Sequence, residues 1–204
     1  MTKFLEETNI IDYSNQAIQK LAMSLSTDCK TDVEIAKKCF EYVRDNINHS
    51  GDHKDNISTC KASDVLKYKT GWCYAKSHLL AALLRANNIP CGFSYQRLTI
   101  NDDGSGNKFS LHGLNSVHLK DFGWYRIDSR GNKYGVNAKF EPPHEKLAFP
   151  IRFQGEKNLT EIYPKPLDII IDSLQKYQTY ELMSNNLPDI ELDGVDNKTL
   201  ERNI

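Results

Sequence analysis

Gly71-Trp72-Cys73-Tyr74-Ala75-Lys76 is the most informative segment of this sequence, because a turn signal in it leads directly into a long apolar helix pattern. The apolar positions after the turn recur at helical spacing and are Ala75, Leu79, Ala82, Leu83 and Ala86. The unpaired N–H groups and the positive dipole end of a helix N-terminus favour a thiolate over a thiol. We therefore predict a central, largely covered helix that begins at Cys73 and presents a reactive sulfur.

The composition fits one globular domain, since 39% of the 204 residues are hydrophobic and 26% are charged. We place that domain at residues 1–183 and expect an acidic, mobile or peripheral tail at residues 184–204. The formal net charge of -1 gives no general attraction to nucleic acid or to an anionic membrane. We therefore expect neither as a partner.

The sequence carries no recognisable targeting signal. No run approaches the roughly 20 apolar residues that cross a bilayer, and the first seven residues lack the apolar stretch of a secretory signal. The five cysteines form neither a disulfide framework nor a CxxC motif, because they are odd in number and widely spaced. They are Cys29, Cys39, Cys60, Cys73 and Cys91. We expect a cytoplasmic protein with reduced thiols.

Helical patterns fill the first part of the chain. The expected N-caps before the nucleophile helix are Ser14, Thr31 in a capping box with Glu34, and Ser63. The helix after Thr31 is expected to end near residues 50–52. The helix that begins at Cys73 is expected to stop at Asn87-Asn88-Ile89-Pro90, because proline cannot continue the backbone ladder.

Strand patterns fill the second part. Three strands are predicted, over residues 92–100, 114–120 and 124–129. Alternation at 147–153 predicts one more strand, at a sheet edge because Pro150 has no N–H to donate. An amphipathic helix is expected over 167–182. Helices followed by antiparallel strands predict an α+β fold in which the nucleophile helix packs on the sheet.

A cysteine nucleophile needs a base within hydrogen-bond reach, and the base needs a third group to orient it. His112 and His118 both lie in the strand region with the same parity, so alternation does not separate them. His112 lies at the expected strand entrance, where catalytic groups are commonly presented. We therefore favour His112 as the base, with Asp128 as the orienting carboxylate.

Other histidines fit this role less well. His78 lies on the nucleophile helix but is expected to point away from Cys73. His49 and His53 have a spacing compatible with zinc, yet the expected break at residues 50–52 would prevent a helix from aligning them. We predict no metal site.

Three blocks of this sequence resemble the transglutaminase-like cysteine hydrolases, within the papain-like superfamily. They are Gly71-Trp72-Cys73-Tyr74-Ala75 with its helix as far as Pro90, His112-Gly113-Leu114-Asn115-Ser116-Val117-His118-Leu119, and Gly123-Trp124-Tyr125-Arg126-Ile127-Asp128. The resemblance covers about residues 30–130. Fifteen residues separate His112 from Asp128, as in the family, whereas His118 does not match that spacing.

The resemblance implies a transglutaminase-like (papain-like) core with Cys73 as nucleophile, His112 as general base and acid, and Asp128 as orienting carboxylate. Trp72 is a candidate wall of the acyl site, and an ordinary core position is an equally good interpretation. No cofactor is implied. The expected substrate is a peptide or protein carboxamide. Leu114 and Ser116 depart from the family's frequent tryptophan and glutamate, which affects the expected substrate preference.

The first functional hypothesis is a cysteine protease or amidase that hydrolyses its substrate through a thioester. Transamidation of protein glutamine is the alternative within the same chemistry, and no local feature decides between them. A binding protein that keeps the fold without turnover is the alternative outside enzymology, and the intact Cys73, His112 and Asp128 argue against it. A redox-sensing thiol would need a resolving cysteine, and residues 74–90 contain none.

Strand register provides a geometric test of the triad. A two-residue hairpin turn would place His112 and Asp128 on opposite faces of the sheet, whereas a three-residue turn or a bulge would place them on the same face. We predict the longer turn or bulge around residues 121–123.

Overall fold

The computed structural model describes residues 1–101 and 103–190 and has an α+β architecture. A short 3-10 helix, Thr2–Phe4, comes first. The α-helices are α1 (Gln16–Ser26), α2 (Asp32–Asn46), α3 (Ser50–His53), α4 (Ala62–Tyr68), α5 (Cys73–Ala86), α6 (Asp168–Lys176) and α7 (Tyr180–Ser184). The strands are β1 (Asn48–His49), β2 (Thr70–Gly71), β3 (Cys91–Thr99), β4 (Phe109–Leu119), β5 (Gly123–Ile127), β6 (Lys139–Glu141), β7 (His144–Lys146) and β8 (Lys157–Asn158). Within these described residues, no helix has both the length and the apolar character needed to cross a membrane.

Helix α5 is the central element, as its apolar pattern predicts. It contacts α1, α2 and α4 on one side and β3 and β4 on the other, and every residue from Cys73 to Arg85 is buried. Most of its buried polar side chains bind main-chain carbonyls, although Nε2 of His78 is buried without a hydrogen-bond partner. The Arg85 guanidinium, for example, donates to the main-chain carbonyls of Glu6, Cys91 and Pro164.

Two of the expected helix caps are wrong. Thr31 and Glu34 form the predicted capping box at α2, but Asn15 rather than Ser14 caps α1. Ser63 lies inside the first turn of α4, where its N–H donates to Asp12, so it does not cap that helix. Caps one residue apart in sequence offer similar side chains, and the chain path decides between them.

Helix α2 ends earlier than expected, at Asn46, because the next residues pair as a strand. β1 pairs in parallel with β2, and His49 lies opposite Gly71. Residues 50–52, which we predicted as a helix break, instead lie in the short helix α3.

The main sheet has the order β5-β4-β3-β8, with neighbouring strands antiparallel. Leu119 pairs with Gly123, so the hairpin loop has three residues, and Gly123 adopts a positive φ of 68°. Asn115 pairs with Ile127, which places Asp128 at the level of Leu114 and on the same face as His112. The predicted longer turn is confirmed.

Two later elements differ from the sequence predictions. Residues 147–153 form no strand, and the N–H of Ala148 instead donates to Asp128. The expected helix over 167–182 is two helices, because the Gln178 carbonyl accepts from Ser58 and Thr179 caps α7. In both cases a contact with a distant part of the chain outweighs the local pattern.

The first residues of the expected tail pack against the sheet. The Leu111 N–H donates to the Pro188 carbonyl at 2.8 Å, and Arg97 pairs with Asp189. Residues 188 and 189 of the expected tail therefore contact the sheet, and the domain boundary at residue 183 stays a prediction. The rest of the expected tail, residues 191–204, lies outside the described residues.

Candidate active site

Cys73 is the first residue of α5, and Trp72 is the N-cap. The residue is buried, with 7% of its surface exposed. The N–H of Gly113 on β4 points at its Sγ, 3.5 Å away. The first-turn N–H groups of α5 have no intrahelical acceptor, so this helix end is positively polarised. Cys73 therefore lies between a helix N-terminus and a strand N–H donor.

His112 lies on β4, and its ring is held by two contacts. Its Nε2 is 2.8 Å from Oδ2 of Asp128, which leaves Nδ1 for the sulfur of Cys73. The ring also meets the Phe149 ring edge to face, with centroids 5.0 Å apart. These contacts restrict the ring to one orientation.

Asp128 follows directly after β5 and is 1% exposed. Besides His112, its carboxylate accepts main-chain hydrogen bonds from Ala148 at 3.0 Å and from Arg130 at 3.1 Å. Burial alone would raise its pKa, but the His112 charge and these hydrogen bonds lower the pKa of Asp128 below its ordinary value. Asp128 is therefore an ionised, fully bonded acceptor.

The charge state of His112 follows from its neighbours. Burial disfavours the imidazolium, but the Asp128 carboxylate and then the Cys73 sulfur outweigh it and raise the pKa of His112 to about 10. The imidazolium is therefore favoured at neutral pH. A charged imidazole between a sulfur and a carboxylate can hold a thiolate and deliver a proton.

Cys73 and His112 open into a cleft of about 210 Å³. Its apolar walls include Trp72, Leu98, Ile100, Phe149, Pro150 and Leu187. Trp72 lies flat against Tyr180, with an interplanar angle of 4° and centroids 6.0 Å apart. Trp72 thus borders the cleft, as expected for a wall of the acyl site, and its role in substrate binding stays a prediction.

His49 also lines this cleft. The pairing of β1 with β2 places it opposite Gly71, which is two residues before Cys73 in the sequence. Its ring meets Trp72 edge to face at 5.8 Å. Burial, and then the charge of Arg130, hold the pKa of His49 well below its ordinary value, so its ring is neutral at pH 7. Its Nδ1 is buried without a hydrogen-bond partner. His53, in contrast, is exposed.

Other histidines considered as bases lie elsewhere. His118 packs against Trp124 near the hairpin loop. His78 points away from Cys73, as predicted, and its Nδ1 is 2.7 Å from the Cys60 carbonyl. A larger groove of about 660 Å³ between α1, α2 and α4 contains none of the three predicted site residues. The structure therefore brings together Cys73, His112 and Asp128.

Lys76 is a notable group beneath the site that sequence reasoning missed. Its ammonium is completely buried and donates to the main-chain carbonyls of Ile47 and of Arg44, the latter at 3.3 Å. Burial, and then the charge of Arg130, lower the pKa of Lys76 to about 7. A lysine inside an otherwise apolar helix face was the signal that could have pointed to it.

Gly113 is the second residue that was missed. A Cβ at this position would lie 2.8 Å from a ring carbon of Tyr74 and 3.2 Å from its Cα. The missing side chain lets the N-terminus of α5 approach β4 closely enough for the contact between Gly113 N–H and Cys73 Sγ. A glycine inside a strand pattern, directly after a candidate base, was the available signal.

Gly113→Ala is expected to push the start of α5 away from β4, because the contact with the Tyr74 main chain cannot relax by a rotamer change. We expect a loss of about 2 kcal/mol in the free energy of unfolding and slower alkylation of Cys73 by iodoacetamide. Urea unfolding and timed mass spectrometry measure the two effects. Gly135→Ala is a control for adding a methyl group, since nothing lies within 4 Å there, although its positive φ of 77° adds backbone strain. Unchanged alkylation in Gly113→Ala would contradict the proposed contact.

Known proteins resemble this chain in family and in fold. The family model of the transglutaminase-like superfamily matches residues 19–129, which is more than half of the chain. A candidate cysteine protease from Cytophaga hutchinsonii has a similar fold, with a TM-score of 0.50, 19% identity, and coverage of 62% of this chain and 40% of that chain. Comparison with curated proteins gives no match.

Two further solved structures align less closely. A candidate protease from Parabacteroides distasonis has a TM-score of 0.45 and 11% identity, with coverage of 78% of this chain and 30% of that chain. A structure described as a TGase has a TM-score of 0.40 and 19% identity, with coverage of 68% of this chain and 36% of that chain. This chain thus spans less than half the length of each of the three structures. On the family match, the chain belongs to the transglutaminase-like superfamily.

Proposed function

We propose that this protein is a cysteine-dependent hydrolase of amide or peptide bonds. The observation that carries the proposal is the 2.8 Å contact between His112 and Asp128, on the same face of the sheet and beside the sulfur of Cys73 at a helix N-terminus. These are the parts that nucleophilic acyl transfer requires, namely an activated nucleophile, a proton carrier and an orienting group.

In the acylation step, the Cys73 thiolate attacks the carbonyl carbon of the substrate and a carbon–sulfur bond forms. The carbonyl oxygen takes the electron pair and becomes an oxyanion. The oxyanion then re-forms the carbonyl as the carbon–nitrogen bond breaks, and the imidazolium of His112 gives its Nδ1 proton to the departing amine or ammonia. The products of this step are a thioester on Cys73 and a neutral His112.

In the second step, His112 takes a proton from water as the water oxygen attacks the thioester carbon. The carbon–sulfur bond breaks, which returns the thiolate of Cys73, the imidazolium of His112 and a carboxylic acid product. Asp128 stays ionised throughout and keeps the His112 ring in its orientation. An amine that replaces water at this step gives transamidation instead of hydrolysis.

The oxyanion needs donors on the side of the cleft that faces α5. The main-chain N–H of Cys73 lies in the first helical turn and is one such group. The ring of His49 is the other candidate, because it borders the cleft and, when neutral, carries one N–H that can donate. This assignment would account for a buried histidine beside the nucleophile.

Trapping of the acyl-enzyme tests the proposal. The protein is mixed with a panel of blocked peptide aminomethylcoumarin amides and glutamine-containing peptides, quenched in acid and analysed by intact mass and by digestion. We expect an acyl adduct on Cys73 and on no other cysteine. Added glycine ethyl ester separates the two chemistries, since hydrolysis gives an acid and transamidation gives the ester conjugate. An absence of adduct and of product across the panel would favour the binding protein without turnover.

A further inference from the structure

The edge of β4 next to the candidate site is used by the chain's own residues 187–190. Strand β5 pairs with β4 from Asn115 to Leu119, so the earlier half of β4 has a free edge on this side of the described sheet. On that edge the Leu111 N–H donates to the Pro188 carbonyl at 2.8 Å. A single backbone hydrogen bond thus attaches this segment at a sheet edge.

A charged contact lies at the same level of the sheet. Arg97 on β3 is the register partner of Leu111, and its guanidinium binds Asp189 in a bidentate pair at 2.7 and 2.6 Å. The guanidinium also stacks on the Phe109 ring, 3.8 Å from its centroid. Arg97 is therefore oriented by an aromatic face before any carboxylate binds, which suits a recognition site.

Leu187, which precedes Pro188 in the segment, borders the candidate active site. Its side chain is half-buried and borders the cleft that contains Cys73 and His112. Over three consecutive residues, the segment therefore places an apolar side chain at the cleft, a carbonyl at the β4 edge and a carboxylate at Arg97. This arrangement is how an extended peptide docks by strand addition.

The β4 edge at Leu111 offers a backbone N–H and therefore binds a carbonyl oxygen of its ligand. Pro188 has no N–H, so it cannot donate to the Leu111 carbonyl, and the Tyr74 hydroxyl donates to that carbonyl instead. The edge thus needs only a carbonyl from its ligand, and it accepts proline as readily as other residues.

The space around the segment is consistent with exchange. The cleft of about 210 Å³ is smaller than the roughly 300–1,000 Å³ typical of ligand sites. A second pocket of about 580 Å³ lies alongside and is bordered by Asn185, Leu187 and Asp189. Leu187 and Ile100 border both spaces, so withdrawal of the segment would remove one of the two side chains between them.

We propose that Arg97 and the Leu111 edge form a docking site for extended peptides that carry an apolar residue and, two positions later, a carboxylate. In this structure the chain's own Leu187-Pro188-Asp189 occupies the site, and a peptide substrate or product takes its place. This docking site names a substrate class for the proposed hydrolase, and in that respect it rests on the proposed function. Peptide binding itself needs no turnover.

The test uses the full chain with Cys73→Ala, which removes turnover, and a fluorescein-labelled peptide with the sequence of residues 184–190. Asp189→Asn weakens the hold of the chain's own segment, so we expect this variant to bind the peptide at least fivefold more tightly in fluorescence anisotropy. A second peptide with Asn in place of the Asp should bind that variant at least tenfold more weakly. Arg97→Gln should bind both peptides equally and weakly.

Arg126→Gln is the matched control, because Arg126 on β5 binds both carboxylate oxygens of Glu145 on β7 and lies opposite Ser116 rather than Leu111. It should bind the labelled peptide as the parent does, and thermal unfolding verifies that every variant is folded. Equal binding of the two peptides to the Asp189→Asn variant, or undiminished binding to Arg97→Gln, would overturn the docking site. Absence of turnover in the protein with Cys73 intact, with normal peptide binding, would instead overturn the proposed function alone.

Discussion

Cys73→Ala should lower kcat/KM for the best peptide amide substrate by about 10⁴-fold or more, because the thioester pathway is lost and only substrate binding remains. The fold should persist, since the change removes one sulfur atom from a site next to a cleft. Initial rates at substrate concentrations below KM measure the activity, and circular dichroism with thermal unfolding monitors the fold.

Cys29→Ala is a suitable comparison, because Cys29 is a half-buried thiol that contacts the Leu25 carbonyl outside the cleft. Its activity should match that of the parent. If Cys73→Ala retained more than a tenth of the parent rate, the thiol would not be the nucleophile.

Asp128→Asn should lower kcat by about 10³-fold, since an amide cannot accept the His112 N–H and both main-chain N–H groups at once. At least one of the donors from His112, Ala148 and Arg130 would meet an NH₂ group inside a buried site. The same conflict should cost about 3 kcal/mol in the free energy of unfolding. Steady-state kinetics and urea unfolding measure these two effects.

The stability difference between parent and Asp128→Asn should depend on pH. The folded pKa of His112 is raised from 6.5 to about 10, so its stabilisation is complete below pH 6.5 and declines as the pH rises toward 10. The folded pKa of Asp128 is lowered from 3.8, so its stabilisation is present above that pH and lost in acid. The difference should therefore be largest between pH 3.8 and 6.5.

Asp172→Asn removes an exposed carboxylate on α6 and should change neither kcat nor the pH profile of unfolding. A parent protein whose stability advantage over Asp128→Asn stayed constant from pH 5 to pH 10 would show that the buried ion pair does not form in solution.

Much of the fold could be predicted because its signals are local. The capping box of Thr31 and Glu34 and the start of α5 at Cys73 each depend on residues within one helical turn. Such features can be predicted from a single sequence. The shared face of His112 and Asp128 is different, because the sequence left the loop length open and the pairing of Leu119 with Gly123 fixed it at three residues.

The errors fall where distant residues compete with a local pattern. Residues 147–153 alternate like a strand, yet Phe149 turns toward His112 and the Ala148 N–H bonds to Asp128. The pattern of 167–182 is helical throughout, yet Thr179 starts a new helix because Gln178 is bound to Ser58. No window of sequence contains both partners of such contacts.

Caps, turns and periodicity act over a few neighbouring positions, so the amino-acid sequence alone was enough to predict helix α5, the strand region and Cys73, His112 and Asp128 as candidate site residues. The folded protein was needed to show that Gly113 lets α5 approach β4, that β1 brings His49 to the cleft, and that Pro188 binds the β4 edge at Leu111. These arrangements depend on how closely separate elements pack, and burial and hydrogen bonding across the whole core determine that distance.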